Sequence, residues 1–522
     1  MKVKGGNVGL AQPGDREHAM PTLEHQFKDI QKSEDLEIII GLVGAVGTDL
    51  DEVVRTLKDR LQLKFNYASE IISISQTILC KVFNVPSIDD EFVRINKYMD
   101  LGNELRRTVH NGILAEGVAA VINAKRTNRT IFKRKAFIVK SLKNEAEVKL
   151  LREIYRNGFY LISVYADKAE RCSNLSRKIS NSTDIDKLIE RDESEQAEFG
   201  QQTRDIFQMA DFFIDYSSDQ PKMRANINRI LDLIFGYPYH TPTFGEYAMF
   251  MAFCASLRSG DLSRQVGAAI CLNDEVIATG VNDCAKFCGG LYWQQYGLKP
   301  GTVDKYKYYD DKDGKDFMRG MDSNKAEIGK LAKEIVTALG VDDTKTQDMI
   351  DFLMYKTKLG DLTEFNRAVH AEMEALAMCA RNNISCRGAD MYVTTFPCHN
   401  CAKHLVAAGI SKVIYIEPYI KSKAIELFGD TIVEKAYTKE KSDKVMFIPF
   451  FGVGPRKFIE MFSMNLLPLS KRVRKNKAGQ TIKFNYKEAS VRDPMLPLSY
   501  IDNENYAALN FYKTTPMDER FN

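Results

Sequence analysis

Cysteine is scarce in this chain and net charge is nearly absent. Ten cysteines among 522 residues are too few to staple a fold of this size, so the thiols are not a disulfide scaffold. Lys and Arg number 73 against 70 Asp and Glu, a formal net charge of +3, and that balance removes overall polyelectrolyte character as a reason to bind nucleic acid. No apolar run is long enough to cross a bilayer. Residues 1–21 hold no apolar stretch of the secretory kind, so a cytoplasmic, reducing location with no membrane partner is expected. No internal repeat is visible.

What is present is ordinary globular material. With 44% hydrophobic and 27% charged residues, the chain can build about two to four domains with ample core. Against that background one stretch carries chemistry: His370-Ala371-Glu372, followed by Pro397-Cys398-His399-Asn400-Cys401. One imidazole and two thiolates can hold Zn2+ in three of its four tetrahedral positions and leave the last for water. Glu372, two residues from His370, is then the candidate proton shuttle, with His370, Cys398 and Cys401 as ligands. The alternative is a closed structural site, for which His399 or His404 would have to supply a fourth ligand. The flanks support an open site. Arg367–Met378 reads as the start of an amphipathic helix, Met391–Thr395 as a strand ending at the Pro–Cys turn, and His399–Ala408 as the next helix. Both thiolates then fall at a helix N-terminus, which favours their charged form.

Before this stretch the chain reads as α/β. Residues 1–34 are polar and read as a flexible arm. Residues 35–238 alternate strand and helix, with strands at Leu36–Val43, Ala136–Val139, Phe159–Tyr165 and Ala210–Asp215, which implies a parallel sheet covered by helices. The first strand runs through Gly41, Gly44, Ala45, Val46, Gly47 and Thr48 into a helix, the frame of a phosphate-binding loop. Gly47 stands where the Walker pattern has lysine. Two readings stay open: a nucleoside triphosphate such as ATP bound with Mg2+ near Thr48, or a tight connection with no ligand. The order of elements resembles P-loop nucleotide kinases, with Arg171 and Arg177 after a late strand, where such kinases keep phosphate-binding arginines; in the plainer reading they are a solvated face.

Gly236–Thr243 is a Pro- and Gly-rich joint, and a second domain is expected over 239–450. It opens with a helix at Glu246–Leu257 and a hairpin of Ser263–Cys271 with Glu275–Asn282. An insertion at 284–365, with helices near 323–339 and 346–357, precedes the candidate metal helix and reads as a lid or an oligomer contact. Cys284 and Cys288 within it are a reduced structural pair or, alternatively, ligands of a second metal. Strands at Lys412–Ile416 and Val445–Ile448 follow, then a C-terminal extension over 451–522. Basic runs at Lys125–Lys135 and Lys471–Lys477 read as solvated segments or as contacts to RNA or triphosphates.

Arg264-Gln-Val-Gly-Ala, Thr279-Gly-Val-Asn282, His370-Ala-Glu372 and Pro397-Cys-His-Asn-Cys401 together resemble the deoxycytidylate deaminase family over residues 243 to about 430. With the first domain, Arg258–Val266 and Gly289–Trp293, the chain is similar to a narrower group, the bacterial anti-phage deoxycytidine nucleotide deaminases with an N-terminal P-loop kinase-like domain. The resemblance implies a cytidine-deaminase-like α/β/α fold and zinc-dependent hydrolytic deamination of free deoxycytidine nucleotides, dCTP or dCMP. It also implies Asn282 against the nucleotide, Arg264 near its phosphate, a homo-oligomer, and a regulatory RNA or protein inhibitor. Three other readings remain: a polynucleotide cytosine deaminase, a bifunctional nucleotide kinase–deaminase, and a nucleotide sensor with a relic site.

Overall fold

The computed structural model describes residues 36–127, 130–194, 203–216, 220–298, 306–419, 422–434, 442–465, 472–493 and 497–515; the expected N-terminal arm lies outside them. The chain forms two α/β lobes, each around a six-stranded sheet.

In the first lobe every residue of β1 (Ile38–Gly44) is buried. A strand apolar on both faces needs cover on both, which a parallel sheet with helices on either side provides. β1 lies between β3 (Lys135–Lys140) and β4 (Phe159–Tyr165), both parallel to it, while β2 (Ala68–Ser73) and β5 (Phe212–Asp215) extend the two flanks. Alternation divides β1 between two cores. Ile38, Ile40 and Leu42 pack with the helices Leu50–Phe65 and Gln220–Ile234, and Ile39 and Val43 pack with Ile113–Ala124.

The second lobe begins with the helix Phe244–Ser256, held by a capping box between Thr243 and Glu246. β6 (Gly267–Leu272) and β7 (Glu275–Val281) form a hairpin. Its turn residues Asn273 and Asp274 have φ of 52° and 61°, the left-handed pair that a two-residue hairpin turn requires. The short β8 (Asp283–Cys284) opens the insertion. The insertion contains the hairpin of β9 (Gln295–Leu298) and β10 (Tyr306–Tyr309) and the helices Ser323–Ala338 and Thr346–Lys356. β11 (Ala368–Val369) returns antiparallel to β8, so the insertion leaves and rejoins the lobe at one ladder. β12 (Asp390–Thr395), β13 (Lys412–Glu417), β14 (Ile432–Glu434) and β15 (Val445–Pro449) complete the sheet in the order β14-β15-β13-β12-β6-β7. One face packs against the two helices of the candidate site. The other, through Ile414, Ile416 and Ile448, joins the core of the first lobe.

The segment expected as a C-terminal extension closes the first lobe over its described residues. β16 (Gly452–Val453) pairs antiparallel with β5. The helix Pro497–Thr514 lies on Ile113–Ala124, where a Cβ at Gly117 would stand 2.9 Å from the Phe511 ring. Its inward residues Tyr500, Ile501, Ala507, Ala508 and Phe511 are buried, and they recur at helical spacing.

Candidate functional site

Two helix starts build the site. β11 delivers His370 as the N-cap of the helix Ala371–Arg381, in extended backbone at φ −65°, ψ 151°. The alanines favour helix, and Glu372 and Glu374 in its first turn complement the positive end of the dipole. This helix presses on β7 so closely that a Cβ at Gly280 would lie 2.0 Å from the Ala371 carbonyl oxygen and 2.4 Å from the Ala375 nitrogen. β12 ends at Thr395, and after Phe396-Pro397 the chain places Cys398 as the N-cap of the helix His399–Ala408. The Cys401 amide donates to Cys398 Sγ at 3.4 Å, and Gly409, at φ 78°, ends the helix in the left-handed region. Two hydrogen bonds hold the turn: Phe396 N to the Glu417 carbonyl and Ser422 Oγ to the Pro397 carbonyl, each 2.7 Å.

The two helices bring His370 Nδ1 within 3.4 Å of Cys398 Sγ and 3.3 Å of Cys401 Sγ. Among the described residues this is the one group of at least three His, Cys, Asp or Glu donors close enough to share a metal, all within 4.8 Å of one another. One nitrogen and two sulfurs fit Zn2+ in type and number, with one tetrahedral position left over. His399 and His404 are outside the group: His404 is exposed, and His399 Nδ1 is buried with no hydrogen-bond partner among the described residues. The geometry therefore brings together the three expected ligands without a fourth side chain. Glu372 is 4% exposed and lies beside the thiols without belonging to the donor set.

Electrostatics follow from this crowding. Cys398 is held down to about 4 by the hydrogen bond from Cys401 and by His370. Cys401, as the partner in that bond and itself buried, is pushed up. His370 is raised to about 9 by its bond to Cys398. Glu372 is raised to about 7, by burial first and by the Cys398 charge second. Glu374, two residues beyond, is instead paired with Arg381 at 2.8 Å.

The other expected residues lie as follows. Asn282 is 8% exposed, and its side chain braces the preceding loop, donating to the Arg264 carbonyl at 2.8 Å and accepting from Val266 N at 2.7 Å. Arg264 is exposed, 3.3 Å from Glu417 and with its guanidinium 5.3 Å from the centre of the Tyr419 ring. Cys284 is buried and donates to Asp316 at 3.8 Å, while Cys288 is exposed.

In the first lobe the candidate phosphate loop joins β1 to Leu50–Phe65. Two of its amides have acceptors within the protein: Val46 N donates to Asp192 at 2.8 Å and Thr48 N to the Ala45 carbonyl at 3.0 Å. The helix start is capped by Asp49, which accepts from Asp51 N and Glu52 N. Gly44 faces Leu50 and Thr48, Gly41 faces Leu142 and Phe159, and Gly47, at φ 87°, lies against the Arg171 backbone. Thr48 Oγ1 is buried without a hydrogen-bond partner among the described residues.

Sequence reasoning missed Ser422 and a cavity of about 660 Å³ between the lobes. No local pattern marks a serine that bonds a carbonyl 25 positions earlier, and a cavity shared by two lobes has no signature within either.

Residues 242–417 match the family described as cytidine and deoxycytidylate deaminase zinc-binding region. The chain is 30% identical over 175 residues to the deoxycytidylate deaminase of Enterobacteria phage T2, covering 33% of this chain and 79% of the relative. The enzyme of the same name from Enterobacteria phage T4 is 31% identical over 175 residues, covering 33% of this chain and 77% of the relative. The crystal structure of the cyanophage S-TIM5 dCMP deaminase in complex with dCMP and dUMP aligns over 41% of this chain and all of its own, at 18% identity and a TM-score of 0.22. The matched segment contains His370, Glu372, Cys398 and Cys401, and with relatives at 30–31% identity that are covered over more than three quarters of their length, the chain is an enzyme of the cytidine and deoxycytidylate deaminase family.

Proposed function

We propose that the protein deaminates free deoxycytidine nucleotides, dCTP or dCMP, to the deoxyuridine nucleotides, and so drains the deoxycytidine pool in anti-phage defence. The observation that carries this reading is the convergence of His370, Cys398 and Cys401 beside the buried carboxyl of Glu372.

Zn2+ held by those three donors would supply a Lewis acid and lower the pKa of a water it binds. The chain's own residues do the rest. Glu372 takes a proton as water oxygen bonds to C4 of the cytosine, and delivers it to the departing amino nitrogen, which leaves as ammonia. Burial keeps bulk water from competing for that proton. Asn282 keeps the 264–266 loop in place, and the exposed Arg264 is the candidate contact for the nucleotide phosphate.

Homo-oligomeric assembly, cytoplasmic location, restraint by an RNA or protein partner, and a nucleoside triphosphate with Mg2+ in the first lobe belong to the same proposal. Among the described residues, no helix is long and apolar enough to cross a membrane. A second reading, polynucleotide deamination, draws on the exposed aromatics Trp293, Tyr296, Tyr306 and Tyr308 of the insertion, a surface on which unpaired bases could stack. Incubation with dCMP, dCTP, CMP, CTP and a cytosine-containing oligonucleotide, followed by mass spectrometry, separates the two. Conversion of deoxycytidine nucleotides is expected; conversion of the oligonucleotide alone would overturn the first reading.

A further inference from the structure

The basic run near the end of the chain was expected to be a solvated segment or a contact to RNA or triphosphates. Over its described part, residues 472–477, it is turned inside out. Arg472 is 4% exposed, whereas Val473 is 50% exposed and Lys475 and Lys477 lie at the surface. A surface segment normally turns its apolar residue inward and keeps its charges in water. Here a charge is inside and the valine outside.

Nothing among the described residues answers that buried charge. Nε, Nη1 and Nη2 of Arg472 are all buried without a hydrogen-bond partner, although its own amide is fixed to the Met464 carbonyl at 3.1 Å. Burial, and then the like charges of Arg492 and Arg474, push its guanidinium down to about 9. Arg492 is 3% exposed, and its Nε is unbonded as well. Its other two nitrogens donate to the Met461 and Ser463 carbonyls at the end of the helix Pro455–Phe462. Its amide donates to the Ile234 carbonyl at 2.9 Å. The half-buried Arg474 donates through Nε to the Pro238 carbonyl at 2.7 Å. Backbone carbonyls thus hold the arginines in place, and none of the named acceptors is a carboxylate. The carboxylates of Asp493 and Glu460 act on Arg492 alone of the buried pair.

A guanidinium taken out of water needs acceptors for its forked N–H groups, and it needs them from an anion. We propose that Arg472, Arg474 and Arg492 enclose a single inorganic oxyanion of the phosphate class, a structural ligand of the first lobe. The whole guanidinium edge of Arg472 and Nε of Arg492 are on offer as donors, and a tetrahedral oxyanion has oxygens enough to accept them bidentately. So little of Arg472 meets solvent that a free ion fits it. The phosphoryl group of a nucleic acid, whose chain must continue into water on both sides, does not.

The ion ties residues 472–474 to Arg492. Through Arg492 it reaches the ends of two helices of the first lobe, Gln220–Ile234 and Pro455–Phe462. It therefore belongs to the closure of that lobe by the C-terminal segment. No residue of the candidate metal site takes part, so the inference stands apart from the deaminase reading.

Full-length protein purified without phosphate or sulfate is tested in two ways. Ion chromatography after denaturation reads any anion carried through purification. The thermal midpoint, measured with orthophosphate, sulfate, inorganic triphosphate or chloride at constant ionic strength, reads anion added afterwards. The expected result is phosphate or sulfate released in proportion to the chain, or a saturable rise of roughly 3 °C or more with orthophosphate. Arg472→Met should lose both signals and stay folded. Its midpoint without anion should equal or exceed that of anion-free wild type, because an apolar side chain replaces an uncompensated buried charge. Arg472→Lys keeps the charge and loses the fork, so half-saturation should need about tenfold more orthophosphate. If Arg472→Met does not fold, the wild-type measurements and Arg472→Lys still decide. Arg264→Ala should keep the wild-type response; loss of the response there places the ion in the deaminase lobe and overturns the proposal. Neither a released anion nor a midpoint shift, an equal shift from chloride or from inorganic triphosphate, or an unchanged response in Arg472→Met also overturns it.

Discussion

Arg126 donates to both carboxylate oxygens of Glu504, at 2.5 and 2.8 Å, across 378 positions of sequence. The same guanidinium bonds Glu37 at the entry to β1, and the Tyr155 hydroxyl completes the Glu504 shell at 3.0 Å. All three charged side chains are almost fully buried. The helix Pro497–Thr514 is therefore a structural part of the first lobe. Glu504→Ala removes one member of a buried ionic cluster and leaves Tyr155 and part of Arg126 without their acceptor. A loss of roughly 3 kcal/mol is expected, read as a lower urea midpoint for the first lobe. A midpoint equal to wild type would show that the cluster contributes nothing to stability.

What was legible in the sequence was what is local. The strand Phe159–Tyr165 and the helix His399–Ala408 have the limits that their patterns predict, because uninterrupted apolar runs and Pro–Cys and Gly boundaries are short-range signals. The candidate donor group was legible for the same reason: a helix N-terminus fixes the relation of Cys398 to Cys401. β2 was missed because it is a half-exposed edge strand with little alternation. The helix Pro497–Thr514 was missed although its apolar spacing is helical, since the polar run Asp502-Asn503-Glu504-Asn505, with Asn510 beyond it, obscured the stripe. The amide of Asn282 could be seen as a hydrogen-bonding group, but only the fold shows that it turns to its own loop.

Gly280 is required by the approach of the helix Ala371–Arg381. Any Cβ there meets the backbone of Ala371 and Ala375 at 2.0 and 2.4 Å, and backbone cannot swing aside as a flexible side chain can. Gly280→Ala should push the start of this helix, with His370 and Glu372, away from the two thiols. Overpacking of this kind costs about 1–3 kcal/mol. Elemental analysis should find metal content reduced in a folded protein, with deamination falling alongside it. Full metal content and full activity would show that the helix tolerates the shift.

Cys398→Ser tests the donor set. A hydroxyl is a weak substitute for a thiolate toward zinc, and Cys398 also caps the helix His399–Ala408 through the Cys401 amide. Serine can keep that cap, so the fold should persist while metal and activity are lost together. Treatment of the wild type with a chelator should reproduce the loss, and added Zn2+ should reverse it in the wild type alone. Unchanged zinc in the variant would remove Cys398 from the ligands.

Glu372 and Glu374 lie two positions apart in the first turn of one helix, yet their surroundings assign them different work. Glu374 is turned away to Arg381, at 2.8 Å. Glu372 is buried beside His370 and the thiols, the position from which the proposed reaction needs a carboxyl to exchange a proton. Glu372→Gln preserves shape and removes proton exchange, so zinc content and substrate binding should remain while turnover falls by about 10²–10⁴-fold. Glu374→Gln weakens an ion pair and should act through helix stability, with a much smaller effect on turnover at a temperature where the variant is folded. Steady-state rates with dCMP and dCTP, measured beside metal content and nucleotide affinity, distinguish these outcomes. If Glu372→Gln kept its rate within about threefold of wild type, or if Glu374→Gln lost more turnover than it, Glu372 would not be the group that carries the proton.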